Sequence, residues 1–297
     1  MKIIDWRVCS QCMEACEYCF ADTGYRRVNL EAENTILKKI IESDIECVNI
    51  TGGEPMLETD RCLKLIDSIW KAGKKVYLSS NGHHIEEHFM YLKERVSLLG
   101  LPLDGYDEAS NMICGRSKTS FSTVIDILKN PTAQKVKIKI GTVITKKNLT
   151  ENNLETLSQL LDKLPVDIWR IYEVLPENRG EKNKDMLILD KAERQELYRS
   201  IQQISGRNHS YRVELVTREM RDSNYLIIQP DGGVMVPLDA GTRVNEYQLG
   251  NLIDLPLQDI INRWKNITCG HIDGIYSEQR LRDAVPGTKE EMRYDES

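Results

Sequence analysis

The chain has 297 residues, with 40 Lys and Arg against 46 Asp and Glu and a formal net charge of −6. That balance offers no electrostatic grip on nucleic acid or anionic lipid, and no apolar run approaches the ~20 residues needed to span a bilayer. Eight cysteines with no export signal fit a reducing cytoplasm, and the length suits one large domain or a domain with an appendage.

Strand-like and helix-like segments alternate from the N-terminus. Ile3 to Val8 reads as a short strand delivering a cysteine-rich loop. Helix Leu30 to Glu42 precedes strand Cys47 to Thr51, and helix Cys62 to Trp70 precedes strand Lys75 to Ser80. Helix Ile85 to Val96, strand Leu98 to Leu103 and helix Phe121 to Leu128 continue the pattern. Strand Val136 to Ile144, helix Leu154 to Leu164 and strand Ile168 to Leu175 complete it. Six strand–helix repeats predict an α/β fold with a parallel sheet, and right-handed crossovers curl such a sheet into a partial (β/α)6 barrel over residues 1–176.

After residue 176 the pattern changes, predicting a C-terminal α+β extension over 177–297 that acts as a lid or substrate wall. Glu177 to Asp185 is polar and reads as a loop. Helix Lys191 to Ile204 follows, with short strands near Tyr211 to Val216 and Tyr225 to Ile228. Pro230-Asp231-Gly232-Gly233 is a turn signal before strand Val234 to Val236. Leu249 to Leu252 precedes helix Leu257 to Trp264, and the charged segment from Lys289 to Ser297 reads as frayed.

Cys12, Cys16 and Cys19 are separated by three and two residues, with Tyr18 just before the last. Three thiolates on one tight loop suit an iron–sulfur cluster with one iron left open to another ligand. Adding Cys9 gives a four-thiolate set that could hold zinc. Zinc knuckles, however, are usually separated by a dozen or more residues, so that reading is the weaker one. A plain electron-transfer cluster would want a fourth ligand and a Cys-Pro pair, which is absent. Cys47, Cys62, Cys114 and Cys269 are scattered singly and read as small core or surface residues. His83, His84 and His88 show no metal or triad spacing and read as helix-surface residues.

In α/β barrels chemistry gathers at the carboxyl ends of the strands. The cysteine loop follows the first strand there and Thr51-Gly52-Gly53-Glu54-Pro55 the second. Ser79-Ser80-Asn81-Gly82 follows the third, and Asp104-Gly105 the fourth. Gly52 and Gly53 would let the backbone approach a ligand closely. Glu54 carries a charge suited to an ammonium group, or caps the helix that begins before Leu57. Arg116 carries the planar fork that suits a carboxylate, or is a solvated surface residue. Val143, Ile144 and Ile171 read as apolar shielding at the strand ends.

The cysteine triplet together with the Gly-Gly-Glu-Pro turn resembles the radical S-adenosylmethionine (SAM) superfamily. The resemblance implies a [4Fe-4S] cluster on Cys12, Cys16 and Cys19 whose open iron chelates the amino and carboxylate groups of SAM. It further implies that Gly52, Gly53, Glu54 and Pro55 hold the amino group, Ser80 and Asn81 contact the ribose, and Arg116 neutralises the carboxylate. The implied reaction is reductive cleavage of SAM to a 5′-deoxyadenosyl radical that removes hydrogen from a small substrate. An electron donor such as flavodoxin or ferredoxin is implied as partner.

Further segments resemble the viperin-like branch, which dehydrates a ribonucleoside triphosphate. Lys139-Ile140-Gly141-Thr142-Val143-Ile144 is similar to its Lys-Ile-Asn-Ser-Val-Ile strand, with Gly141 in place of the asparagine. Ile168-Trp169-Arg170-Ile171-Tyr172 is similar to its Arg-Trp-Lys-Val-Phe, and Met220-Arg221-Asp222-Ser223 to its Met-Lys-Asp-Ser. The resemblance makes Lys139 and Arg170 cations for a phosphate chain. Leu101-Pro102-Leu103-Asp104-Gly105 looks more like peptide-maturation relatives. A peptide- or sugar-modifying enzyme and a non-catalytic cluster carrier therefore stand as alternative readings. No auxiliary cluster is expected, because Cys269 stands alone in the extension.

Overall fold

Along seven strands apolar residues alternate with polar or small ones, and this period of two separates a helix-covered face from a cavity face. The computed structural model describes residues 3–21, 24, 27–130, 136–221, 226–239 and 244–267. The strands are β1 (Ile3–Cys9), β2 (Cys47–Gly52), β3 (Lys75–Ser79), β4 (Val96–Pro102), β5 (Ile138–Ile144), β6 (Ile168–Glu173) and β7 (Arg212–Val216). All six neighbouring pairs from β1 to β7 are parallel. Ile4, Trp6, Val48, Ile50, Leu78, Leu99, Ile140, Trp169 and Leu215 face a continuous apolar core. Asp5, Arg7, Asn49, Ser79, Lys139 and Tyr172, from the alternate positions, face the cavity.

The helices α1 (Leu30–Ile41), α2 (Thr59–Lys71), α3 (Phe89–Arg95), α4 (Glu108–Met112), α5 (Ser120–Lys129) and α6 (Glu151–Leu161) run between successive strands. They cover the apolar face, with Ile36, Ile66, Leu92, Val124 and Leu157 fully or almost fully buried against it. Local signals start them: Asn29 accepts from the Ala32 N–H at 2.9 Å, and Asp107 with Ser110 forms a capping box on α4. Trp169, wholly enclosed, donates its indole N–H to Thr142 Oγ1 at 2.8 Å, so its single polar atom is satisfied.

Laid flat, β1 and β6 would lie about 24 Å apart at ~4.8 Å per strand. Because Asp5 and Arg7 of β1 and Tyr172 of β6 line one cavity, the sheet curls strongly around it. With β8 (Ile227–Ile228), β9 (Gly233–Asp239) and β10 (Val244–Asn251), the sheet among the described residues has ten strands in the order β10-β9-β8-β1-β2-β3-β4-β5-β6-β7. The chain beyond residue 176 supplies both edges. Helices α7 (Arg179–Lys182), α8 (Lys184–Leu187) and α9 (Lys191–Ser205) lead into β7, which adds a seventh parallel strand beside β6. The short strand β8 pairs parallel with β1, and β9 and β10 continue antiparallel before α10 (Leu257–Ile267).

Three local readings change. The 177–185 segment is not a loop but two short helices, α7 and α8. The helix expected over 85–96 is a helical turn at Glu86–His88 followed by α3, with Val96 already in β4. Helix α4 was not read from the sequence, being only five residues long. Leu249 to Asn251 completes β10, and the helix expected from Leu257 follows as α10. Asp222, Ser223, Tyr225, Cys269 and the segment 289–297 lie outside the described residues. Among the described residues no helix is long and apolar enough to cross a membrane.

Candidate active site

The loop from Ser10 to Phe20 has no regular structure of its own and is pinned from three directions. From the β2 side, the Gly53 N–H donates to the Cys9 carbonyl at 2.8 Å and the Glu54 N–H to the Gln11 carbonyl at 2.7 Å. From the α4–α5 connection, the Ser117 N–H and hydroxyl both donate to the buried Glu14 carboxylate, at 2.7 and 2.8 Å. The Glu17 N–H reaches the Cys114 carbonyl at 2.9 Å. From the C-terminal region, Asn178 donates to the Phe20 carbonyl at 2.6 Å and Asn183 to that of Glu17 at 3.0 Å. A loop so bound presents its side chains in fixed directions.

The two glycines serve this clamp. A Cβ on Gly53 would lie 2.1 Å from the Gln11 oxygen, and one on Gly52, at φ +148°, would lie 2.4 Å from the Cys9 oxygen. Their close approach is to the cysteine loop, and Gly53 also lines the cavity. Glu54 is wholly enclosed and caps the helical turn that starts at Pro55 by accepting from Met56 N at 3.0 Å. It also accepts from the Ser80 hydroxyl at 2.8 Å and the Asn81 N–H at 2.6 Å. Burial raises its carboxyl to about 7, against the pull of those hydrogen bonds. Of the two roles weighed for Glu54, the structure displays the cap.

Cys12, Cys16 and Cys19 line one cavity of about 290 Å³ together with Gly53, Ser80, Asn81, Arg116 and Lys139. Gly52, Glu54, Pro55 and Arg170 stand behind that lining. Among the described residues no three His, Cys, Asp or Glu side chains close on a single point, as they would around one ion. A multi-iron cluster asks for spread thiolates instead, since each takes its own iron. Burial pushes the Cys16 thiol up to about 11 and raises that of Cys12, so a bound cation is needed to hold them as thiolates. Cys12 Sγ also receives the Glu14 N–H at 3.4 Å, the kind of donor that tunes cluster sulfurs. The loop therefore fits an iron–sulfur group.

Arg116 is neither solvated nor available as a lone cation. Its guanidinium pairs with Asp104, and both it and the Asp104 carboxylate bond the Tyr18 hydroxyl. The two charged side chains are 7% and 1% exposed, so the pair is a buried one that ties the cysteine loop to the strand-four end. Asp104 also accepts from the Val143 N–H at 2.9 Å. Arg170 is buried and bonds Glu214 of β7 at 2.6 Å, which keeps it out of the cavity wall. Lys139 does reach the cavity, passing over Gly100 and lying 3.4 Å from the Tyr172 hydroxyl. Val143 lines the cavity, whereas Ile144 and Ile171 point into the apolar core. His83 is not a helix-surface residue but approaches Glu14 at 3.5 Å from the turn after β3.

Sequence reasoning missed Arg7, Phe20, Tyr172 and the cavity role of Arg221. The Phe20 ring lies under the Arg7 guanidinium at 5.1 Å and that of Arg221 at 4.6 Å. Arg7 is also paired with Glu246 of β10 at 2.8 Å. Asp5 and Arg7 on β1, and Arg170 and Tyr172 on β6, alternate with apolar neighbours, and that period was the available signal.

The sequence profile of the Radical SAM superfamily matches residues 6–162, more than half of the chain. This chain belongs to the radical SAM superfamily of enzymes, a family whose members use an iron–sulfur cluster and SAM. It is 27% identical over 194 residues to an S-adenosylmethionine-dependent nucleotide dehydratase of Fibrobacter sp. (strain UWH6), covering 59% of this chain and 56% of that protein. A protein of the same description from Flammeovirga pacifica is 25% identical over 250 residues, covering 77% and 80%. The RSAD2 dehydratase of Siniperca chuatsi is 31% identical over 192 residues, covering 60% and 53%. The chain thus spans little more than half the length of two of these relatives. In fold it is similar to Streptococcus suis SuiB bound to S-adenosylmethionine (TM-score 0.67, 17% identity, 89% of this chain and 67% of that one). It is equally similar to anSMEcpe with bound AdoMet and Cp18Cys peptide (TM-score 0.68, 18% identity, 90% and 82%).

Proposed function

We propose that this enzyme is a SAM-dependent nucleotide dehydratase acting on a nucleoside triphosphate. One observation carries the reading: a single cavity is lined both by Cys12, Cys16 and Cys19 and by Lys139 and Arg221. The three curated relatives named above, all described as nucleotide dehydratases, support the same substrate class.

Cys12, Cys16 and Cys19 would hold a [4Fe-4S] cluster, and the Gly53 backbone with Ser80 and Asn81 would hold SAM. When bound, these groups supply one-electron cleavage of SAM and hydrogen abstraction from an unactivated C–H bond. The protein orients the substrate and keeps water away. Glu54 fixes Ser80 and Asn81, and the Arg116–Asp104 pair fixes Tyr18 beside the cysteines, so Arg116 acts through position. Lys139 and Arg221 neutralise the phosphate chain, with Arg170 in support behind Tyr172. From the chain beyond residue 176, Arg221 and Ile227 form part of the cavity wall. Cys12 and Met13 are exposed and mark the face on which a flavodoxin- or ferredoxin-like reductant would deliver its electron.

The test is anaerobic: loaded enzyme, reductant and SAM, with 5′-deoxyadenosine measured with and without each nucleoside triphosphate. Strong stimulation by one nucleotide is expected. Release indifferent to every nucleotide contradicts the proposal and redirects the search to peptides, sugars and other small metabolites.

A further inference from the structure

Gly141 lies on β5 and Tyr172 on the neighbouring strand β6. The structure brings these two positions together. A Cβ on Gly141 would lie 3.3 Å from Cε2 of Tyr172, so the ring would have to shift by a few tenths of an ångström to admit a side chain there. The ring packs against the small apolar cluster of Val216 and Ile227. Lys139 lies 3.4 Å from its hydroxyl oxygen, and Arg170 hydrogen-bonds the same group. Both are donors with nothing to accept, so the phenol oxygen receives from each of them. Its own O–H must then point elsewhere, and Tyr172 lines the active-site cavity.

We propose that Tyr172 is a catalytic acid that gives its hydroxyl proton to the oxygen leaving the substrate. This rests on the dehydratase reading. The Tyr172 O–H bond breaks and its electron pair stays on the phenolate oxygen, held by Lys139 and Arg170. The proton bonds to the departing hydroxyl, whose C–O pair goes to oxygen, and water leaves. The substrate radical becomes a radical cation, and one further electron from the flavodoxin- or ferredoxin-like reductant closes its shell to give the dehydrated product, so atoms, charge and electrons balance. The site is tuned for this transfer. Burial pushes the phenol up, but the Lys139, Arg170 and Arg221 cations outweigh it and bring it below its usual range. Three acidic groups face that cation cluster: Glu214 bonds Arg170 at 2.6 Å, Asp5 faces Lys139 and Arg221, and Glu177 faces Arg221.

Tyr172→Phe keeps the ring and removes the acid. Calorimetry without reductant is expected to give nucleotide affinity within about threefold of the parent. Nucleotide-stimulated 5′-deoxyadenosine is expected to persist, while dehydrated product falls by about 10²-fold or more. The parent's product rate falls at alkaline pH as the phenol ionises, and the variant lacks that limb. Gly141→Ala, which displaces the ring but leaves the hydroxyl, lowers the ratio of product to 5′-deoxyadenosine in the same direction. A Tyr172→Phe enzyme that keeps the parental ratio overturns the inference and leaves the dehydratase reading standing. If Tyr172→Phe does not fold, an unchanged ratio in Gly141→Ala overturns it in its place. Parent enzyme that binds no nucleoside triphosphate overturns the dehydratase reading, and this inference with it.

Discussion

The backbone N–H of Asn81 donates to the Glu54 carboxylate at 2.6 Å, joining the turn after β2 to the turn after β3 inside the protein. The other carboxylate oxygen takes the Met56 N–H and the Ser80 hydroxyl. Glu54→Gln presents an amide that, either way round, sets an NH2 against one of two backbone N–H groups. An unsatisfied buried donor costs about 1–3 kcal/mol, and a lower denaturation midpoint in urea is the expected result.

The same carboxyl makes stability depend on pH. Its folded value of about 7 lies above the ordinary 4.5, so the native state holds a proton that the unfolded chain has released. The contribution is fully present below pH 4.5 and is lost as pH rises through 7, a swing of about 3 kcal/mol. Measured against Glu54→Gln, which carries no charge at any pH, the parent should lose relative stability across that window. A flat difference would mean the carboxyl titrates normally.

Gly53→Ala should fail at the cysteine loop. Its Cβ would strike the Gln11 carbonyl and break the paired hydrogen bonds to Cys9 and Gln11. The expected outcome is a chain with less than a tenth of the parental iron and sulfide after reconstitution. Normal loading would show that the clamp is not what presents the thiols.

Arg116 and Asp104 answer to stability before they answer to catalysis. Removing one partner of a buried pair costs about 3–5 kcal/mol, so Asp104→Asn should unfold at clearly lower urea. Arg170→Met leaves Glu214 buried but still paired with Arg212 at 2.6 Å, so its cost should fall near the low end of that range. Lys139→Met, by contrast, is expected to cost little stability and to weaken nucleotide binding by about tenfold or more. Equal effects of the two changes on binding would return Arg170 to the cavity wall.

Much of this architecture was legible in the sequence because each early strand and helix carries its own period and its own punctuation. The strands from β1 to β6 and helices such as α1 and α9 follow from spacing and caps, and the cysteine triplet with Gly-Gly-Glu-Pro follows from chemistry. Side-chain partnership was not legible. Whether Arg116 or Arg170 lies in solvent, cavity or ion pair depends on Asp104 and Glu214, which lie 12 and 44 residues away. The second edge of the sheet was hidden for the same reason, since β8 is two residues long and finds β1 only through tertiary contact. Tyr172 escaped notice because on a strand it reads as one more aromatic, and only the bare Gly141 beside it gives it room.

The most direct test uses a nucleoside triphosphate deuterated throughout its ribose, with loaded enzyme, reductant and unlabelled SAM. A deuterium atom carried into 5′-deoxyadenosine, seen as a one-unit rise in its mass, is the result this account predicts. Unlabelled 5′-deoxyadenosine with every deuterated nucleotide would contradict it, because hydrogen would then be coming from something other than the substrate placed in this cavity.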